Sequence, residues 1–302
     1  MITLVVGATG SLGGRVVDAL VARGHRVRAL VRPGTHPGRL ATKGAEIVRG
    51  DLLDPASLDQ ALDGAAALVT TAAGYMRRRK GDSLAKVDGE GNRNLVDAAR
   101  RARLGRFVFT SVLAADRARA VPHFWQKKLT EDYLEASGVP FVALRPGAFM
   151  GAVGEGGDFW ARGIAQRRIS TIGSPAVRWT YIHVDDVARA LARAVDEPGA
   201  AGRRVDLGMD RPLSAADVAA ELSRLLGETI RVRRIPWMPI SLGARMAGLF
   251  NPLIRDFRAM LAFFFTGAYV ADTTAQAELF GPVPTVDDSF RRYVVQLGLT
   301  PR

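Results

Sequence analysis

"ITLVVGATGSLGGRVVDALVARG", residues 2–24, decides the fold. Its first five residues, Ile2 to Val6, are an apolar run of the kind that suits a strand buried on both faces. A glycine turn follows, with the spacing Gly7-x-x-Gly10-x-x-Gly13. Leu12, Val16 and Leu20 then recur at helical spacing until Gly24 stops the helix. Glycines at such a turn let the backbone approach a pyrophosphate, whose charge is favoured at a helix amino terminus. Three glycines alone are a weak signal. Set between a buried strand and an amphipathic helix, they predict a dinucleotide-binding βα unit.

The alternation continues outward from that unit. "HRVRALVR" (25–32) and "AEIVRGD" (45–51) read as the second and third strands. "DPASLDQALDG" (54–64) is a short helix with Asp54 as its cap and Pro55 at its first position. "AAALVTTAA" (65–73) gives a fourth strand and "GNRNLVDAARRARLG" (91–105) a crossover helix. "RFVFTSV" (106–112) and "PFVALRPG" (140–147) are strands flanking the helix of "VPHFWQKKLTEDYLEASG" (121–138). Alternating units predict an α/β fold, a doubly wound parallel (Rossmann) sheet covered on both faces. Residues 1–150 form the expected dinucleotide-binding core. Residues 151–302 return to the sheet and add a smaller, mostly helical C-terminal substrate lobe.

Composition narrows the chemistry. The 302 residues include no cysteine, which excludes disulfides, thiolate catalysis and cysteine-ligated zinc. His25, His36, His123 and His183 show no metal-ligand spacing, so no metal is expected. No Gly-x-Ser-x-Gly elbow is present, which argues against a hydrolase. "MITLVVGATG" begins directly with a strand and shows no signal peptide, so a soluble, cytoplasmic protein is expected. "AMLAFFFTGAYVA" (259–271) is too short to span a bilayer, which takes about 20 apolar residues, and reads as a buried helix or an oligomer contact. The formal charge of +12 suits an anionic ligand, but the arginines are scattered. The dense cluster "MRRRK" (76–80) lacks interleaved aromatics, so a nucleic-acid partner is not expected.

The end of the second strand bears on cofactor choice. An NAD-preferring site places a carboxylate there for the ribose hydroxyls. "LVRP" instead offers Arg32, whose guanidinium can fork onto a 2′-phosphate, the alternative being an exposed strand-end arginine. NADP(H) is therefore the expected cofactor.

With "GATGSLG", "VRALVRP", "GDLLDPASLDQAL", "RFVFTSV", "KLTEDYLEASGVPFVALRPGAF" and "YIHVDDVARAL" in this order over about residues 1–195, the chain resembles the atypical short-chain dehydrogenase/reductases, in particular the NmrA-like and isoflavone-reductase-like branch. The resemblance implies a cofactor site built from Gly7, Thr9, Gly10, Ser11, Leu12 and Gly13 of the turn, with Arg32, Asp51, Leu52 and Ala72. Lys127, Pro146 and Phe149 would complete it. Asp51 would meet the adenine amino group and Phe149 would sit beside the nicotinamide, or else pack in the core.

Extended short-chain reductases carry Tyr-x-x-x-Lys on the helix, with a glutamate four residues on. Lys127 and Glu131 keep that spacing, and the tyrosine position is His123. None of the 5 tyrosines precedes a lysine by four residues. The resemblance leaves Lys127 as proton donor or ribose anchor, His123 as proton relay or pocket wall, and Ser111 as the family serine unless Val112 holds that place. "HVDD" (183–186) reads as a strand-to-helix turn capped by Asp185 or Asp186. Trp237, Met238, Phe250 and Phe263 to Phe265 are candidates for an apolar substrate pocket.

The expected function is NADPH-dependent reduction of a small apolar carbonyl, enone or quinone. Two other readings stand beside it: a non-catalytic NADP(H)-sensing regulator, and a cofactor-bearing scaffold, for which a membrane surface is an open but not the favoured setting. The missing tyrosine supports the regulator, and it disfavours sugar-nucleotide epimerisation.

Overall fold

The computed structural model describes residues 1–74, 81–151 and 160–301; the basic cluster at 76–80 lies outside the described residues. In the first half, strands β1 (Ile2–Val6), β2 (Arg26–Val31), β3 (Glu46–Arg49), β4 (Ala67–Thr70), β5 (Arg106–Thr110) and β6 (Phe141–Pro146) alternate with helices α1 (Ser11–Ala22), α2 (Pro55–Leu62), α3 (Asn92–Arg101) and α4 (Pro122–Ser137). The second half supplies β7 (Ala148–Met150), α5 (Ala161–Ala165), β8 (Arg168–Ile172), β9 (Tyr181–His183), α6 (Val184–Asp196) and β10 (Arg204–Leu207). It ends with α7 (Ala215–Leu226), β11 (Arg231–Ile235), α8 (Trp237–Ala247), α9 (Pro252–Phe264), α10 (Thr274–Phe280) and α11 (Val286–Gln296).

Seven strands form one sheet in the order β10-β6-β5-β4-β1-β2-β3. Every pairing in it is parallel, as in Val5 opposite both Ala29 and Val69. Chain order reverses between β1 and β4, and such a switch point opens a crevice at the carboxyl ends of the strands. One core layer joins α1 and α6 to the sheet through Val16, Leu20, Val187 and Leu191. The other joins α2, α3 and α4 through Leu58, Leu95, Val96 and Leu134. This double cover explains why the strands read as apolar runs and not as alternating ones.

The chain beyond residue 150 sends β10 back to the sheet edge and builds two further clusters. One gathers β9, α7 and α11 around Phe290 and Tyr293. The other lays Phe264 and Tyr269 against Phe124, at the start of α4. The apolar run 259–271 thus turns Leu261, Phe264 and Tyr269 inward, while Met238 and Phe250 are 81% and 89% exposed.

Two capping expectations are corrected. Asp54 occupies the cap position of α2, but its side chain makes no cap bond; Ser57 Oγ instead bonds the backbone of Asp54 and Asp51. At α6 the cap is His183, whose Nδ1 accepts from Asp185 N at 3.3 Å. Asp185 and Asp186 are ion-paired: Asp185 binds Arg15 of α1 at 2.8 Å, and Asp186 binds Arg292 of α11 at 2.6 Å. An arginine brought by a distant helix outcompetes the local turn for each carboxylate.

His183 also sets a pH dependence. Burial first, and then Arg292, push its pKa down against the opposite pull of Asp185 and Asp186. The unfolded imidazole takes a proton as pH falls through about 6.5, while the folded one resists. Between its depressed folded value and about 6.5 the unfolded state therefore binds more protons, and stability falls as pH falls. The free energy of unfolding from urea titrations should therefore fall as pH is lowered through about 6.5, and His183→Gln should remove that part of the dependence.

Candidate functional site

The site grows from the glycine turn at the end of β1. Gly7 has φ +82, and a side chain there would meet Thr71 Oγ1 at 2.7 Å and Ala72 N at 2.9 Å. A Cβ on Gly13 would lie 2.1 Å from Gly7 O, so only glycine lets α1 pack this close to the turn. Gly10 N bonds Gly7 O at 3.0 Å and Thr71 N bonds Val6 O at 2.9 Å, fixing the turn against the end of β4. No side chain caps α1. Its first-turn amides lack intrahelical acceptors and make an anion-binding end. Thr9 is exposed and Ser11 half-exposed beside it, while Leu12 is buried.

Lys127 reaches the same strand end from α4. That helix opens on Pro122 and stops at Gly138, φ 74. Lys127 Nζ donates to Ala72 O at 3.3 Å, lies 3.6 Å from Asp88 Oδ1, and sits 5.0 Å from the centre of the Phe109 ring. Burial lowers its pKa, and Asp88 and Glu131 oppose that shift without reversing it. Asp88 is itself buried on a π-helical segment, Ala85–Gly91, and its other oxygen accepts from Gly74 N at 2.8 Å. Turn and lysine therefore meet at Ala72: the glycine packs on its amide and the ammonium bonds its carbonyl.

His123, one helical turn before Lys127, holds Asp256 of α9 with Nδ1 2.8 Å from Oδ1. Asp256 is buried, and its Oδ2 has no hydrogen-bond partner among the described residues. A carboxylate on an imidazole nitrogen fixes the ring's orientation and tautomer. Glu131 has a different environment. Fully buried, it accepts from Ser111 Oγ at 2.5 Å, from Arg145 at 2.9 and 2.6 Å, and from Arg204 at 3.1 Å. Ser111 Oγ is thus engaged by Glu131. Burial alone would lower the Arg145 pKa, but the bonds to Glu131 and Asp116 carry it above its ordinary value.

The remaining candidates ring the crevice unevenly. Arg32, at the end of β2, is half-exposed and pairs with Asp82 at 3.1 Å. Asp51 Oδ1 accepts from Leu53 N at 3.0 Å, and Leu52 is buried beneath Gly91. Pro146 ends β6, and Phe149 on β7 packs partly into the α1–α6 core layer. Sequence reasoning missed Thr71, Asp82, Asp88 and Asp256. Each bonds a predicted residue from a loop, a π-helical turn or the C-terminal lobe, where no spacing rule links the two.

Residues 2–275 match the profile of the NmrA-like family. The chain is 30% identical over 237 residues to the photosystem II assembly factor Ycf39 of Cyanophora paradoxa, covering 78% of this chain and 72% of that one. Its fold superposes on an NADPH-dependent quinone oxidoreductase of Escherichia coli, solved with NADPH, with a TM-score of 0.75, 24% identity, and 97% and 99% of the two chains covered. It also superposes on the Citrobacter sp. triphenylmethane reductase complexed with NADP(H), with a TM-score of 0.77, 20% identity, and 97% and 100% covered.

Proposed function

The chain belongs to the NmrA-like family, and from that premise we propose that it is a reductase using NADPH to reduce a small apolar carbonyl, enone or quinone-type acceptor. The observation that carries this reading is the meeting at Ala72 of the glycine turn with a buried, pKa-lowered lysine. The residues fit the cofactor: Gly7, Gly10, Gly13 and the uncapped start of α1 would hold the pyrophosphate, and Arg32 the 2′-phosphate. When bound, NADPH supplies the hydride. Two structural neighbours carry NADP(H), which supports the choice of cofactor.

The chain's own residues supply position and a proton. Lys127 is held by Ala72 O and Asp88 and donates a proton to the acceptor oxygen. Its lowered pKa makes it a better acid than an exposed lysine, because less free energy is needed to remove the proton. His123, oriented by Asp256, returns a proton to the site in place of the absent tyrosine. Glu131 and Ser111 keep α4 in register on β5 and β6 and take no part in proton transfer.

The test is NADPH consumption against a panel of quinones, enones and aromatic aldehydes, with Arg32→Ala alongside. Turnover is expected, with the NADPH Kd of Arg32→Ala raised about tenfold or more and NADH binding unchanged, as for loss of a charge-assisted bond. The arginine has to exchange Asp82 for the phosphate. Asp82→Asn should therefore tighten NADPH binding, which a direct titration reads.

A second reading is favoured by His123 in the tyrosine position and by the assembly-factor relative. In it the protein binds NADP(H) as a regulator or scaffold without turnover. Its mark would be a partner affinity that follows the cofactor's redox state and survives loss of the Lys127 ammonium.

A further inference from the structure

Among the described residues, α8 is the one helix with no buried residue. Met238, Leu242 and Met246 recur every fourth position, Leu249 follows one turn later, and Phe250 forms the tip of the hairpin to α9. Their exposures are 81, 64, 59, 72 and 89%. Spacing of this kind lays large apolar side chains in one stripe, and a soluble fold rarely leaves such a stripe in water without use.

The other half of the observation is charge. Between Glu228 and Asp272 the chain has six arginines, at 231, 233, 234, 245, 255 and 258, against one acidic residue, Asp256. That carboxylate is buried against His123. Arg231, Arg233, Arg234, Arg245 and Arg255 are exposed; Arg245 lies on α8 itself and Arg255 packs against Gly248 at its end. The inner side of the hairpin is anchored: Arg258 Nε donates to Ser241 O and Oγ at 3.3 and 3.2 Å, and the Trp237 ring meets the Phe265 ring edge-on at 5.1 Å. The outward display of Met, Leu and Phe is therefore a property of a fixed surface.

We propose that the α8–α9 hairpin seats the protein on an anionic lipid surface, with the stripe at the headgroup–acyl boundary and the arginines on the phosphates. Among the described residues no helix is long and apolar enough to cross a membrane, so the contact lies in the interface. A second copy of the chain fits poorly, because a two-fold contact through this face sets each arginine cluster against its own image. Nucleic acid would satisfy the arginines and leave five large apolar side chains uncovered. An anionic membrane satisfies both. The proposal does not rest on the reductase reading.

The experiment is co-sedimentation of the full chain with vesicles of phosphatidylcholine alone and with about 30 mol % phosphatidylglycerol, at low and high salt. It is repeated for Leu242→Ser/Leu249→Ser/Phe250→Ser and for Arg245→Glu/Arg255→Glu, with circular dichroism and light scattering as controls. Pelleting with the anionic vesicles is expected, weakened by salt and cut about tenfold or more in each variant while fold and monomer mass are unchanged. Absence of pelleting, or pelleting that the variants leave intact, overturns the proposal. So does an oligomer of the native chain that dissociates in the triple variant, which would assign the face to self-association.

Discussion

Lys127→Met is expected to lower kcat for NADPH oxidation at least about a hundredfold, the low end of what a positioned general acid contributes. Methionine keeps the side chain out to its ε carbon and removes the ammonium, with the ammonium's contact over the Phe109 ring. Asp88 retains its bond from Gly74 N, so thermal melting should show a folded protein. The pH profile separates a proton-donating role from a ribose anchor. A general acid works protonated, so kcat falls as pH rises through its pKa. Burial has lowered that pKa, so the fall begins below the ordinary lysine range, and Lys127→Met should lose this basic limb. A lysine that only binds ribose would instead raise the cofactor Kd and leave the limb in place. Indifference of both kcat and Kd would remove Lys127 from the account.

Glu131→Ala is expected to be the most destabilising single change in the core, at about 3–5 kcal/mol, because removing one partner of a buried ion pair leaves the other uncompensated. Arg145 is 7% exposed and donates two of its bonds to Glu131; Arg204 and Ser111 lose a third and a fourth contact. A loss of this size is a large share of the total for a folded domain, so the urea midpoint should fall sharply or the protein should fail to accumulate. Glu131→Gln distinguishes charge from shape: it keeps acceptors for Ser111 and one guanidinium, and should recover part of the loss. A midpoint unchanged in Glu131→Ala would contradict the role assigned to this network.

The parts of the fold that were legible in the sequence are those whose determinants are local. Gly7 and Gly13 announce a turn because each is demanded by atoms of that turn or of the adjoining strand end: Gly7 O against Gly13, Thr71 and Ala72 against Gly7. Lys127 and Glu131 announce themselves by a four-residue spacing on one helix face. What that spacing conceals is that the two do different work. Lys127 points to Ala72 and Asp88 and Glu131 to Arg145, because successive turns of α4 pass from the crevice into the core.

Illegible features depend on the return of distant chain. Asp256 could not be assigned to His123 before α9 was seen to fold back over the start of α4. "HVDD" misled for the same reason, since Arg15 and Arg292 claim the aspartates that a local rule gives to capping. In the last third, average hydropathy pointed to 259–271, the most apolar stretch, and to Met238 and Phe250 as pocket candidates. Hydropathy carries no information on facing. The structure buries Phe264 and Tyr269 under α4 and turns Met238 and Phe250 to solvent.

In the proposed reductase a glycine turn and Arg32 select a phosphorylated dinucleotide, which a buried lysine then puts to use. Calorimetric titration of the purified chain with NADPH, NADP⁺, NADH and NAD⁺ tests that selection most directly. Binding of the phosphorylated pair is expected, with the other pair weaker by about tenfold or more. Preference for NADH, or binding of none of the four, would contradict it.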